Sequence, residues 1–456
     1  MIVRVRIIIC IFFIGSFVRP QSASEVIHLL ENEIGYGARS LSMGGSYTAL
    51  SNDPSGMYWN PAGLASMKSG ALYVETHNLH YSNNTTYFGQ LKENPLRMGR
   101  LNGFGFTFPV PTIRGSLILG FGFNRILHYD ALMSFSGFSN IDNALTFPIN
   151  GNNIPFSKDV NRDETIASTG SVDIWTLSFG IALAENLSGG LSISRVSGKE
   201  DYNFLFGQSD VNDIYNQYPS DFSSYDLRQT LITSIRSWHI VGGIKAIISD
   251  NLQFGLGLFL PMKLNVEEQH ATDETMIFDN KEEFGVIENG YYTYQLKIPM
   301  SIDLGAAFRI NNLIFTTGIR MKDWSNTKFN LKGLEVSSDD YDYFQTENIY
   351  IAKDYGLTIQ AKLGLEYLLK ISDSFGVNIR AGYNEIPSPE KSKMQEEATE
   401  TISFGIGMPI SSDIMLNVTV LNANWQKTSA DSYAPSSVLE DIDAKKFFVN
   451  IAYLFN

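Results

Sequence analysis

The amino-acid sequence predicts an all-β protein, a fourteen-stranded antiparallel transmembrane β-barrel with an N-terminal hatch of short helices inside its lumen. Apolar and polar residues alternate over most of the chain after residue 70, and the connections between these runs are alternately long and short. A block rich in Gly, Asn and Pro precedes the first run. A closed ladder of strands satisfies every backbone N–H and C=O in lipid, so this is the pattern of a membrane barrel.

Residues 1–23 are predicted to be a cleaved export signal. A basic start is followed by an apolar run over 7–18 and by a cleavage region at 21–23. The apolar run is too short to cross a bilayer, which takes about 20 residues. The one cysteine of the chain, Cys10, lies inside the signal, so the mature protein is expected to contain no thiol.

The charge of the chain argues against nucleic acid as a partner. There are 34 basic and 48 acidic residues, a formal net charge of −14, whereas nucleic-acid binding needs basic patches. The six histidines show no metal-ligand spacing, and no cofactor is predicted. A barrel hydrolase with His239 facing inward beside serines is the enzymatic alternative, but the sequence fixes no Ser–His–acid geometry. We therefore predict a protein that is not an enzyme.

The strand assignments rest on alternation, which places one face of each strand against lipid and the other toward the interior. A soluble β-sandwich also alternates, but the runs here are long and their connections are sorted by length. The predicted strands span 70–81, 100–110, 115–127, 171–185, 187–200, 229–249, 251–267, 290–310, 312–326, 355–371, 373–387, 400–410, 412–425 and 444–456.

The connections separate the two rims of the predicted barrel. Long segments follow the odd strands, as at 128–170, 201–228, 268–289 and 327–354, and short turns rich in Asn, Asp and Ser follow the even ones. Residues 85–91 could form a strand of their own, but they are assigned to the first long loop so that the number of strands stays even. Long loops are expected on the cell exterior, and an even number of strands puts both chain ends on the periplasmic side.

The last strand alternates to the end of the chain. Phe447, Val449, Ile451, Tyr453 and Phe455 share one face, and a single Asn follows. This resembles the aromatic-ended final strand by which barrels are recognised for insertion. The barrel assembly machinery is therefore an expected partner, together with outer-membrane lipid and lipopolysaccharide, and a monomer is expected.

Charged and glycine residues within the strands are predicted to face the interior. The charges either brace the wall as an ionic network, which we prefer, or line a selective path. The Gly-x-Gly pairs lack the third glycine and following helix of a nucleotide site, and are expected to bend the wall and leave the lumen open. The charges are Lys297, Asp303, Arg309, Arg320, Lys362, Glu366 and Arg380, and the glycine pairs are Gly103/Gly105, Gly120/Gly122, Gly255/Gly257 and Gly405/Gly407.

The block at 24–69 is the predicted hatch, and residues 70–456 are the predicted barrel. The helix breakers of the hatch favour a helix, a kink and a second helix. A segment of this size could scarcely fold alone, so it should pack against the lumen wall. Two motifs stand in it: Gly37-Ala38-Arg39-Ser40-Leu41-Ser42-Met43-Gly44-Gly45 and Trp59-Asn60-Pro61-Ala62-Gly63-Leu64.

These motifs resemble the FadL/TodX family of outer-membrane transporters, and the long loops resemble Bacteroidota-like members. The resemblance implies a hatch that fills a fourteen-stranded barrel and carries an Asn-Pro-Ala motif, which Asn60, Pro61 and Ala62 match. Gly44 and Gly45, with this tripeptide, are the predicted gating residues, because Gly and Pro can serve as hinges. A static plug is the alternative.

The resemblance implies an outer-membrane protein for the uptake of hydrophobic small molecules, long-chain fatty acids or aromatic hydrocarbons, by passive, hatch-gated diffusion. The apolar residues of the 128–170 loop are candidate ligand contacts, although folding of that loop on itself explains them equally well. The alternatives are a structural or secretion-associated barrel that shuttles or anchors exported proteins, and a general porin. The candidate contacts are Phe135, Phe138, Leu145, Phe147 and Phe156.

Overall fold

The computed structural model describes residues 21–31, 33–149, 152–218, 221–373, 375–392 and 398–455. Most of the predicted export signal, including Cys10, lies outside the described residues, as does Asn456. Within these ranges no helix has both the length and the apolar character needed to cross a bilayer.

Six short helical segments and twenty strands make up the described chain. The α-helices are α1 (Ala23–Glu31), α2 (Ala38–Ser42), α3 (Gly56–Trp59) and α4 (Asp339–Asp354), and 3-10 helices span Pro61–Ser66 and Trp324–Asn326. The strands are β1 (Gly70–Tyr87), β2 (Gln90–Val110), β3 (Leu117–His128), β4 (Ala131–Ser139), β5 (Thr146–Ile149), β6 (Asn152–Pro155), β7 (Val160–Ala184), β8 (Leu187–Ser209), β9 (Phe222–Ser249), β10 (Leu252–Phe259), β11 (Met262–Phe278), β12 (Glu283–Ile298), β13 (Ser301–Ile310), β14 (Leu313–Asp323), β15 (Lys328–Phe329), β16 (Leu357–Lys370), β17 (Gly376–Ile386), β18 (Thr399–Pro409), β19 (Ile414–Ser429) and β20 (Val438–Phe455).

The strands close into a barrel. β3 continues into β4, β10 into β11 and β12 into β13, so each of these pairs counts as one barrel strand, while β5 and β6 form a separate hairpin. The two-residue β15 follows β14 and pairs with β12, as β14 pairs with β13, so β14 and β15 also count as one barrel strand. Consecutive strands pair antiparallel, and β20 pairs with β1 from Gly70↔Phe455 to Thr86↔Leu439. The predicted fourteen-stranded antiparallel barrel is confirmed.

The two rims differ as predicted, with one correction. The turn rim carries short connections such as Asn311-Asn312, and the loop rim carries the β5–β6 hairpin and α4. The segment 85–91 is not part of a long loop, because β1 and β2 continue to a tight turn at Phe88-Gly89. Thr85 and Tyr87 face inward and are buried, whereas Phe88 to Leu91 are exposed around the turn, so a segment that the sequence indicated as a loop is wall.

Several strands are much longer than a membrane requires. β9 contains 28 residues, which at about 3.3 Å per residue span about 90 Å, against an apolar band of about 25 Å in membrane barrels. Much of the predicted 268–289 loop is accordingly strand, with a turn only between Phe278 and Glu283. The wall therefore extends well beyond the apolar band on the loop rim.

The alternation of faces reverses once in the predicted strand 290–310. Leu296 and Ile298 are buried inside the barrel, whereas Lys297 is exposed on its outside, so the inward assignment of Lys297 is wrong. The strand breaks at Pro299-Met300, opposite a matching break at Leu260-Pro261 in the neighbouring strand. A proline cannot donate to the ladder, and it interrupts the period of two there.

Candidate functional site

The hatch lies inside the lumen and is almost wholly buried. Met43 and Tyr47 have no exposed surface, and Trp59 donates its indole N–H to the Tyr36 carbonyl oxygen over 2.9 Å. Hatch groups also bond the wall directly, as Ser192 Oγ does with the Met57 carbonyl oxygen over 2.7 Å. The predicted placement of the hatch within the barrel is confirmed.

Inward-facing glycines make room for the hatch. At each of nine wall glycines, a Cβ atom would lie within 3.1 Å of a hatch atom, closer than real Cβ contacts allow at nearly every position. We call this set the glycine belt. For Gly120, Gly255 and Gly405, its members from the predicted glycine pairs, the expectation that they leave the lumen open is wrong, because hatch atoms fill the space. The belt consists of Gly120, Gly180, Gly190, Gly243, Gly255, Gly305, Gly364, Gly382 and Gly405.

Asn60 ties the Asn-Pro-Ala motif to the wall at one end of its amide. Its Nδ2 atom donates to the carbonyl oxygens of Thr48 and Ile244, over 2.8 and 3.0 Å. Its Oδ1 atom accepts from the Ala62 N–H over 3.1 Å and so caps the 3-10 helix, in which Pro61 occupies the first turn. The motif therefore fixes both the hatch helix and its position on β9.

Gly44 and Gly45 form a tight turn against the wall. Both have left-handed backbone angles, with φ of 63° and 67°, which favour glycine. A Cβ on Gly44 would lie 2.5 Å from the Tyr383 carbonyl oxygen, and the Gly44 N–H approaches Ser403 Oγ at 3.2 Å. The predicted hinge residues are thus packed in this structure, and their gating role stays a prediction.

Two buried ionic groups connect the hatch to the wall. Glu366 accepts from Arg39 of the hatch over 2.7 Å and from Arg380 of the wall over 2.6 Å. Asp303 and Arg320 pair within the wall over 2.6 Å.

Arg320 also reaches the hatch, since its Nη1 atom donates to the Tyr58 hydroxyl over 3.2 Å. Lys362 lies 3.6 Å from the Asp303 carboxylate and packs over the Trp59 ring. Of the two sequence interpretations of these charges, the geometry favours the bracing network.

On the turn-rim side, the hatch borders an open vestibule of about 640 Å³. Arg39, Arg309 and Arg380 line it together with carboxamide side chains such as Asn311 and Asn417. The hatch therefore separates a vestibule lined by charged, polar and apolar residues from the rest of the lumen.

On the other side of hatch residues 35–69 the lumen is apolar, and α1, the first helix of the hatch, fills it. Val26, Ile27 and Leu29 of this helix are buried among inward-facing aliphatic residues of the wall. The Tyr129 hydroxyl donates to the Leu29 carbonyl oxygen over 2.8 Å. An apolar lumen filled by a short helix is a space that a hydrophobic molecule could share or take over.

The five candidate ligand contacts do not form one site. Phe147 and Phe156 are buried in a compact aromatic cluster with Leu145 at its edge, their ring centroids 5.6 Å apart. Phe135 belongs to a different cluster on β4, and Phe138 is exposed. Packing of the loop rim on itself accounts for the positions of Phe147, Phe156 and Leu145. A ligand role for any of the five candidate residues stays a prediction.

The wall contains a structural feature that the sequence analysis missed. The pairing of β2 with β3 ends at Gly103↔Asn124, and in the described chain no backbone ladder joins residues 90–102 to residues 125–139 of the next barrel strand. We call this interruption the seam. Leu101 is exposed on the outer surface beside it, so the seam begins within the apolar band.

Side chains rather than backbone hold the seam together. Arg100 forms a bidentate ion pair with Asp130, and Asn94 Nδ2 donates to the Ser134 carbonyl oxygen over 3.0 Å. Side-chain contacts can exchange partners without dismantling a strand, so the seam is the part of the wall best suited to open. The polar residues at 94–102 were the available signal, and it was concealed because 94–99 were assigned to a loop and 100–102 to the start of an ordinary strand.

An apolar cluster lines the lumen at the seam. Leu79, Tyr81, Ile442 and Ala444 are buried there. Residues from both sides of the seam pack against them, namely Leu96, Met98 and Ala131, together with Trp425. The seam therefore connects an apolar interior surface with the outside of the wall.

Comparison with known proteins identifies solved structures that share this fold. No protein-family model matches the chain, and no curated protein matches it in sequence. The Pseudomonas putida toluene transporter TodX superposes with a TM-score of 0.60 at 13% identity, covering 93% of this chain and 100% of TodX. A Pseudomonas aeruginosa FadL homologue gives 0.56 at 12% identity, covering 93% and 98%.

The Ralstonia pickettii toluene transporter TbuX gives a TM-score of 0.55 at 14% identity, covering 93% of this chain and 100% of TbuX. These likenesses extend over the barrel and the hatch together. The chain therefore has the fold of the toluene transporters TodX and TbuX and of the FadL homologue, which is the fold that its front block predicted.

Proposed function

We propose that the protein is an outer-membrane channel for the uptake of hydrophobic small molecules, either long-chain fatty acids or aromatic hydrocarbons, by passive diffusion. The observation that carries the proposal is the pairing of an apolar lumen with an interrupted wall. A molecule that enters from the loop rim meets apolar surface, a hatch across its path and a seam beside it. The likeness to the toluene transporters supports the same function.

In this proposal the hatch gates the channel by closing the route to the turn rim. The glycine belt, Asn60 and the Arg39–Glu366 pair hold it in its resting position, and Gly44, Gly45, Pro61 and Ala62 shape the segment that is held. The seam is then the shorter route out of the lumen, and it leads into the membrane. No coupling to an energy source is required, since a hydrophobic solute moves down its gradient.

Outward-facing basic residues support placement in the outer membrane with the loop rim outside. They follow the apolar band on six strands, and Arg195 packs over the Trp238 ring at 5.4 Å. Phosphates of lipopolysaccharide would neutralise them in the outer leaflet. The aromatic final strand supports assembly by the barrel machinery, and we propose a monomer. The six residues are Arg97, Arg195, Arg236, Lys263, Lys297 and Lys445.

The test is uptake by cells that lack their own transporter for hydrophobic compounds. Expression of the protein should raise the uptake of a labelled long-chain fatty acid or of toluene, and leave the uptake of a polar sugar unchanged. Increased sugar uptake would indicate a porin. Assembled protein with unchanged uptake of both hydrophobic probes would contradict the proposal and favour the shuttle or anchor for exported proteins.

A further inference from the structure

We propose that a cluster of polar side chains beside the seam binds the acidic head group of an amphiphile. The protein would then carry molecules with a hydrocarbon tail and a carboxylate in preference to bare hydrocarbons. This inference rests on the proposed function, since it concerns the same lumen and the same seam. The cluster, which we call the head cluster, consists of His77, His128, Asn124 and Lys446.

Two histidines form the centre of the head cluster. The His77 side chain is 2% exposed, its ring stacks on Phe448 at 5.5 Å and its centroid lies 4.0 Å from that of His128. Within the described residues, three ring nitrogens lack a hydrogen-bond partner: both nitrogens of His77 and Nδ1 of His128. Buried polar groups are almost always bonded, so three orphaned nitrogens together indicate that a partner binds here.

A third orphaned donor lies at the base of the seam. Asn124 occupies the last paired position of β3, and its Oδ1 atom accepts from the Tyr73 hydroxyl over 2.9 Å. Its Nδ2 atom has no partner within the described chain. Each imidazole offers at least one N–H donor, and the carboxamide nitrogen is a donor, so the natural occupant carries acceptor atoms.

The charges around the cluster select an anion. Lys446 lies one inward position beyond Phe448 on β20 and makes no ion pair or hydrogen bond with any described residue. The nearby acids are already engaged: Asp130 is paired with Arg100, and Glu75 accepts from the Gly37 and Ala38 N–H groups and from Asn102. A metal cation would face Lys446 and Arg100, whereas a carboxylate would satisfy the donors and the ammonium.

The hydrocarbon tail has a place directly next to the head cluster. On β1 the inward positions after His77 are Leu79 and Tyr81, and on β20 those beyond Lys446 are Ala444 and Ile442. These four residues are the apolar cluster at the seam. Polar and apolar surfaces therefore follow each other along the same two strands, as a molecule with a head and a tail requires.

The test compares a fluorescent C11 fatty acid, dansylaminoundecanoic acid, with its methyl ester on the purified full-length protein. The wild-type protein should bind the acid more tightly than the ester. His77→Phe and Lys446→Met should each weaken binding of the acid about tenfold or more, the scale of a lost charge-assisted hydrogen bond, and leave ester binding unchanged. Lys297→Met, which removes an exposed cation on the outside of the wall, is the control and should change neither.

Equal binding of acid and ester by the wild-type protein would overturn the head cluster and mean that only water occupies it. Binding of neither probe would instead contradict the proposed function, so the two failures are distinguishable. Heat-modifiable gel mobility reports whether each variant has assembled. If either variant fails to assemble, the other and the wild-type comparison still decide.

Discussion

The side-chain amide of Asn60 joins the hatch to the wall, its Nδ2 atom donating to the Ile244 carbonyl oxygen over 3.0 Å. The residue before Ile244 in the sequence is Gly243, where an added Cβ would lie 2.1 Å from Asn60 Oδ1. Hydrogen bonding and close approach thus occur at the same place on β9. The hatch is positioned by close contacts with the backbone of the wall, and the glycines are the residues that permit them.

Substitution in the glycine belt should displace the hatch. Gly243→Ala places a methyl carbon 2.1 Å from Asn60 Oδ1, far inside van der Waals distance, and overpacking of this kind typically costs about 1–3 kcal/mol of stability. The neighbouring Gly242→Ala is the matched control, since no atom lies within 4 Å of its Cβ. We expect Gly243→Ala alone to lower the temperature at which the barrel loses its folded gel mobility. Equal effects of the two substitutions would contradict the fitted hatch.

The Asn-Pro-Ala motif should matter for transport more than for assembly. Asn60→Ala with Pro61→Ala removes the bond to Ile244 and the start of the 3-10 helix. The closed strand ladder remains, so the barrel should still show heat-modifiable mobility. Uptake of a long-chain fatty acid should change because the hatch loses its defined resting position. Normal assembly with fully normal uptake would mean that the tripeptide is packing only.

The buried carboxylate of Glu366 should contribute far more than an exposed one. Glu366→Gln leaves Arg39 and Arg380 facing each other without their shared anion, and loss of one partner of a buried pair costs about 3–5 kcal/mol. Glu267→Gln, which disturbs an exposed pair with Arg236 at 3.6 Å, should cost at most about 1 kcal/mol. Denaturant unfolding in detergent measures both. Similar losses would show that the hatch is not braced through Glu366.

The orientation of the rims can be read by thiol labelling, because the mature chain is expected to contain no cysteine. Asn280→Cys stands in the turn between β11 and β12 on the loop rim, and Asn311→Cys stands on the turn rim. A membrane-impermeant reagent should label Asn280→Cys on intact cells and Asn311→Cys only after the outer membrane is permeabilised. The reverse pattern would place the loop rim in the periplasm.

The sequence was sufficient for the strand number, the hatch and most inward charges, because period-two alternation and turn residues are local signals. The sequence was not sufficient for features that depend on contacts between residues far apart in the chain. Asn94 was assigned to a loop, since only its partner Ser134 shows that it belongs to the wall. The reversal at Pro299 lies opposite a break at Pro261 in the neighbouring strand, and the sequence does not show that the two breaks are adjacent. The belt glycines could not be distinguished from glycines that only bend a strand, because the hatch residues that pack against them are far away in the sequence.

The proposal that solute leaves through the seam is tested most directly by closing the seam with a disulfide. Asn94→Cys with Ser134→Cys joins side chains that already touch across it. Thr176→Cys with Ser194→Cys is the control, since these hydroxyls are 2.8 Å apart across the intact β7–β8 ladder. The seam disulfide should abolish the uptake of a hydrophobic probe, a reductant should restore it, and the control disulfide should have no effect. Full uptake with the seam disulfide formed would contradict lateral exit.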